Sequence, residues 1–179
     1  MITAWRLSHK KHTETAFSGE GAKLFGGRWN PPGYAAVYAA DSLSLAILEM
    51  IVHLDEDQDI QSYVAIPVEF EESLVLCWPA EKLPKGWACL PISDLTQQMG
   101  KAWLDEKKSL VLKVPSSVVR NDSNFVINPL HPDFPKIKTG SPQSLLIDPE
   151  NPEAASYEAA SFAGRIREDL LNRGASLDS

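Results

Sequence analysis

The chain has 179 residues, 44% of them apolar, which is enough to bury one substantial core. Its net charge of −7 argues against direct nucleic-acid binding, because phosphate neutralisation needs a basic face and the 17 Lys and Arg are scattered. No run approaches the roughly 20 apolar residues of a membrane span, and the opening MITAWRLSHKKH lacks an apolar signal core, so a soluble, cytoplasmic protein without a membrane partner is expected.

Ile2 to Leu7 reads as the first strand, and a polar, Gly-containing loop follows. In that loop Gly26-Gly27 precedes Arg28, a pattern that reads as a turn presenting a guanidinium, as in phosphate recognition; the plainer alternative is a tight turn with a solvated arginine. Tyr38 lies near the end of a short strand, Ala35 to Ala40. From Ser42 to Leu54 apolar residues cover nearly the whole circumference, which predicts a largely buried helix capped by Asp41 or Ser42. Glu49 sits in the middle of it. A carboxylate there is costly unless paired or used, so it is either salt-bridged to Arg28 or functional.

Residues 61 to 68 alternate as a strand in which Pro67 suggests an edge or an end, and Ser73 to Trp78 gives another short strand. A connection punctuated by Pro and Gly runs from Pro79 to Pro91. Ser93 then caps a helix to Lys108 whose stripe of Leu95, Met99, Trp103 and Leu104 is expected in the core. Leu110 to Val114 is a buried strand that stops at Pro115 and delivers Ser116 to a loop or edge; Phe125 to Ile127 is a further strand, with Asn128 and His131 beyond it. The fold class is α/β (α+β), a small mixed sheet with flanking helices in one domain. Cys77 and Cys89 form no CxxC or Cys/His cluster and are expected as free, buried thiols. The four histidines are too dispersed for a ligand motif, so no metal is predicted, and no GxGxxG follows a strand, so no Rossmann-bound cofactor is expected.

Taken in order, GEGAKLFGGRWNPPG, the following Tyr38, LEMIVHL, VPSSVV and NFVINPLHP closely resemble the RES-domain family, toxins of bacterial toxin–antitoxin pairs. The resemblance spans about residues 1 to 149. It implies an ADP-ribosyltransferase-like domain that binds NAD+ as substrate, with no cofactor, and breaks its nicotinamide–ribose bond by hydrolysis, phosphorolysis or transfer of ADP-ribose to a protein. Loss of NAD+ then arrests growth, and an Xre-type helix-turn-helix antitoxin covers the site. The family's arginine, glutamate and serine fall on Arg28, Glu49 and Ser116, with Ser117 as the other register. Arg6 is implied as a phosphate or substrate contact, with a salt bridge as its alternative. Tyr38 offers a face for nicotinamide, and Trp29 and Asn128 join the substrate-binding set. Such cleavage builds an oxocarbenium-like ribose, which a carboxylate such as Glu49 can stabilise. A second class of function is a module that only binds NAD+ or its antitoxin. The chain departs from the family in its segment 150–179, Ala-rich over Ala155 to Leu171 and read as a helical extension: a local addition, a dimerisation helix giving a homodimer, or a segment near the site.

Overall fold

The two longest strands lie side by side in the sheet. β1 (Ile2–His9) and β3 (Tyr63–Phe70) pair antiparallel throughout, from Ile2↔Phe70 to His9↔Tyr63. The structure is a computed structural model that describes residues 1–53 and 59–145. Its other strands are β2 (Val37–Ala40), β4 (Val75–Cys77), β5 (Val111–Pro115), β6 (Ser123–Ile127), β7 (Lys138–Thr139) and β8 (Gln143–Ser144). They form one sheet in the order β4-β5-β6-β2-β1-β3-β7, with β8 also on β3. Only β4 and β5 run parallel among these pairs, so the sheet is mixed as expected.

Opposed residues in an antiparallel ladder share a face. The register Trp5↔Ala40↔Asn124↔Val114 therefore places these four on one side. Helix α2 (Leu43–His53) packs against β1 and β2, with Ala40, Leu45, Ala46 and Val119 in one cluster. On the opposite side Ala4, Val37, Ala39, Val68, Phe125 and Ile127 make the main core, where Phe70 meets Phe125 edge to face at 5.3 Å. Helix α3 (Asp94–Glu106) adds Trp103 and Leu104 to a second cluster with Trp29, Leu112, Val114 and Val126.

Both main helices begin as the sequence indicates: Ser42 Oγ accepts from Leu45 N and Ser93 Oγ accepts from Leu95 N. Several expectations need correction. Among its described side chains helix α2 buries Leu45, Ala46, Ile51 and Val52, while Leu43, Ile47, Leu48 and Met50 stay half-exposed, because the sheet covers one side of it. Leu95 is 62% exposed; the buried face of α3 carries Thr96, Gly100, Trp103 and Leu104 instead. Pro67 lies inside β3, where its carbonyl accepts from Gly140 N, so its missing N–H faces outward with that carbonyl and costs no bond to β1. Cys77 is exposed and Cys89 half-buried, so neither is a buried thiol. A short helix α1 (Glu20–Phe25) occupies what reads as loop, and it buries none of its residues. Among the described residues no helix is long and apolar enough to cross a membrane. The predicted helical extension lies outside the described residues.

Candidate functional site

The centre of the site is Glu49 on α2. Ser116 Oγ donates to Glu49 Oε1 at 2.6 Å, and Asn124 Nδ2 donates to the same oxygen at 2.6 Å. Among the described residues no hydrogen bond goes to Oε2, which leaves that oxygen for a ligand. The partners come from 67 and 75 residues along the chain, through β5 and β6. Ser116 is fully buried just past Pro115. Its amide donates to Asp122 O, while its hydroxyl accepts from Val118 N and Val119 N at 3.0 Å each, so the loop wraps around Oγ and fixes the direction of its single proton. Ser117 makes no such contact with Glu49. Two short donors converging on one carboxylate oxygen fix the direction in which the group points.

Arg28 approaches from the loop after α1. Its Nη1 donates to Trp87 O at 2.6 Å and Cys89 O at 3.2 Å. It forms no ion pair with Glu49 among the described residues, so the salt-bridge alternative is not what the structure holds. The two charges still sense one another: burial pushes the Arg28 pKa down, and the Glu49 charge opposes that shift. A guanidinium anchored through one nitrogen keeps its remaining donors for an anion.

The loop carrying Arg28 is fastened on several sides. Gln97 Nε2 of α3 donates to Gly27 O. Gly100 lets α3 approach so closely that an added Cβ would lie 1.8 Å from Trp29 O. The Trp29 ring is 2% exposed and packs against Trp87 at 6.2 Å and Trp78 at 5.9 Å between centroids. Its contribution here is to core packing beneath the Arg28 loop. Tyr38 Oη donates to Asn30 Oδ1 at 2.7 Å and accepts from Trp29 N at 3.0 Å, and burial raises its pKa well above the usual phenol range. Its hydroxyl therefore ties β2 to the same loop.

Arg6 lies on β1, where Nη1 donates to the Tyr38 carbonyl at 2.9 Å and Nε is buried without a partner. Neither a carboxylate nor a salt bridge accompanies it among the described residues, and burial lowers its pKa to about 10. β1 and β2 share the single register pair Trp5↔Ala40, and the Arg6 guanidinium takes the Tyr38 carbonyl beside that seam. Asn128 is placed differently: Nδ2 donates to Leu104 O, which joins the end of β6 to α3, and Oδ1 accepts from Leu130 N in the turn that follows. The structure thus gathers Glu49 with Ser116, and Arg28 with Trp29 and Tyr38, to which Arg6 is bonded. Asn128 has no bond to any of these. The sequence-derived set omits Asn124 and Gln97; Asn124 opens NFVINP, yet nothing in that run singles it out, and only the Ala40↔Asn124↔Val114 register turns Asn124 toward α2. Among the described residues no group of three or more His, Cys, Asp or Glu could hold a metal ion.

Comparison with known proteins gives this arrangement its relatives. A toxin named Res from Photorhabdus laumondii is 37% identical over 132 residues, covering 74% of this chain and 85% of the relative. A protein named Prs ADP-ribosylating toxin, from a Sphingobium species, is 38% identical over 151 residues, or 81% of this chain and 93% of the relative. MbcT of Mycobacterium tuberculosis, named an NAD(+) phosphorylase, is 56% identical over a segment of 36 residues, 20% of this chain and 19% of MbcT. The solved structure of the M. tuberculosis MbcT–MbcA toxin–antitoxin complex superposes with a TM-score of 0.66 at 21% identity, covering 89% of each chain, and so shares the fold. The family model for the RES domain matches residues 3–148, and the chain belongs to the RES-domain family.

Proposed function

We propose that this chain is the toxin of a toxin–antitoxin pair and that it cleaves the nicotinamide–ribose bond of NAD+. The observation that carries the reading is the Glu49 carboxylate, clamped through Oε1 with Oε2 open and acted on by the charge of Arg28, which is in no ion pair among the described residues. Departure of nicotinamide leaves positive charge on the ribose carbon and ring oxygen. A carboxylate already oriented by two donors stabilises that charge without reorganising. The spare nitrogens of Arg28 suit the pyrophosphate, which carries the opposite charge. Tyr38 and Trp29 act by holding the Arg28 loop, and Ser116 by holding Glu49. The ADP-ribosyl group then passes to water, phosphate or a protein nucleophile.

Transfer to a protein is the second reading, favoured by the name of the Sphingobium relative. The partner in this reading is an Xre-type antitoxin that covers the cleft, in keeping with the toxin–antitoxin complex of the structural neighbour. Incubating the purified protein with NAD+, with and without inorganic phosphate, distinguishes the products. Free nicotinamide with ADP-ribose marks hydrolysis, and a phosphorylated ADP-ribose marks phosphorolysis. Nicotinamide released only when an acceptor protein is added, with labelled ADP-ribose appearing on that protein, selects the second reading; neither nicotinamide nor label under any of these conditions refutes both.

A further inference from the structure

We infer that Asn124 is a positioning residue for the Glu49 carboxylate, equal in weight to Ser116, and that its amide keeps Oε1 occupied so that Oε2 alone meets the substrate. The inference rests on the reading of Glu49 as the charge that stabilises the reacting ribose.

Asn124 owes its aim to the sheet. It is opposed by Ala40 on one side and Val114 on the other, so the main chain is held by two ladders and the side chain stands on the face that carries α2. One residue earlier, Ser123 N donates to Asp41 Oδ2 and Ser123 O accepts from Asp41 N, which pins the start of β6 to the turn that opens α2. The 2.6 Å contact to Glu49 therefore joins two elements already fixed relative to each other. Ser116 arrives from the loop after β5 and can supply only one proton. With Asn124 removed, Glu49 keeps one donor and gains freedom to rotate, so that either oxygen can turn toward Ser116. With both donors present, the carboxylate has one orientation.

The groups around Glu49 decide how a substitution reads out. From the Arg28 loop comes the Arg28 cation, which acts on Glu49 through space. Beside Arg28 stands the buried Tyr38 phenol of β2, held neutral. From the end of β5 comes the non-titrating Ser116 hydroxyl. The Asp41 carboxylate is engaged by Ser123 N. Replacing the amide by a carboxyl of the same shape, Asn124→Asp, sets a second titrating group within hydrogen-bond reach of Glu49. The pair then binds its protons in two coupled steps, and mutual repulsion raises the upper one. With one proton on the pair, the introduced carboxyl is neutral and donates to Glu49 as the native amide does. As pH rises through the upper step that proton leaves, the donor is lost and two negative charges face each other.

The test measures the pH dependence of NAD+ turnover for the full-length wild type, Asn124→Asp and Asn124→Ala, with thermal unfolding of each as a check on folding. For Asn124→Asp the expected result is activity on the acid side that falls about tenfold or more as pH rises across about 5 to 8, a limb absent from the wild type. Asn124→Ala should lose about tenfold in kcat at every pH with little change in KM, as for an interaction felt mainly in the transition state. Wild-type profiles in both variants overturn the inference. A folded Asn124→Asp protein inactive at every pH also overturns it, since that places the amide on the substrate. If Asn124→Asp does not fold, the kcat against KM split of Asn124→Ala decides. Absence of NAD+ turnover in the wild type, both alone and with an acceptor protein, would instead overturn the proposed function.

Discussion

The two charged ends of the site are held by different means. Glu49 is fixed by side chains, Ser116 and Asn124, each reaching it from a regular element or its immediate end. Arg28 is fixed by main-chain carbonyls, those of Trp87 and Cys89, in an irregular stretch between β4 and α3. A side-chain clamp can be altered one atom at a time by substitution. A main-chain clamp survives changes of the residues that supply it and fails only when the segment moves. The carboxylate end is thus open to fine adjustment, whereas the guanidinium end depends on packing.

The largest effect should come from the carboxylate. Glu49→Gln keeps an oxygen for Ser116 and Asn124 but removes the charge, so turnover should drop about a hundredfold or more while thermal stability stays near wild type. A folded variant with undiminished turnover would take Glu49 out of the chemistry. Next is Arg28→Ala, which removes a contact acting on bound substrate as well as on the transition state. KM should rise and kcat/KM should fall by about tenfold to a hundredfold, the scale of a hydrogen bond to a charged group. Unchanged steady-state constants would leave Arg28 as a structural strut for the Trp87–Cys89 segment.

Gly100→Ala tests the packing directly. The new methyl cannot share space with Trp29 O, so α3 or the Arg28 loop must shift, at a cost of about 1–3 kcal/mol in unfolding experiments. Because the disturbance enters through Trp29, it should raise KM more than it lowers kcat; the reverse pattern would mean that the two ends are not separable. Smallest of all is Cys89→Ser. The carbonyl that meets Arg28 is unaffected, so turnover within about twofold of wild type is expected from a substitution away from any named destabilising mechanism. A large loss would make the thiol, not the carbonyl, the important part of that residue.

The elements legible in the sequence are those with a period or a cap. Alternation over residues 61 to 68 marks β3, and Ser42 and Ser93 announce α2 and α3. Helix α1 has no buried residue and starts after Gly19 in a left-handed conformation, so neither an apolar stripe nor a polar cap signals it. β7 and β8 are two residues each, too short for alternation to register. Leu95 satisfies the spacing of a core stripe, yet it stands on the outer side of the first turn of α3, and Thr96 is buried in its place. Within the site, Arg28 is marked by the glycines before it and Glu49 by its place in an apolar helix, whereas Ser116 comes from motif resemblance; the roles of Arg28 and Glu49 are proposals that the substitutions above test. Asn124 and Gln97 cannot come from pattern alone. Their partners lie 75 and 70 residues away, and that proximity is created by strand register and by the docking of α3.

The position of Pro67 has a consequence for association. Exposed strand edges are templates on which a second chain can grow a sheet. Here the long β3 is covered on its outer side by β7 and β8, and between the stretches they pair it offers a proline that has no N–H to give. At the other end of the sheet, β4 is only three residues long. Among the described residues neither border provides the uninterrupted ladder of donors and acceptors that fibrillar or edge-to-edge stacking recruits.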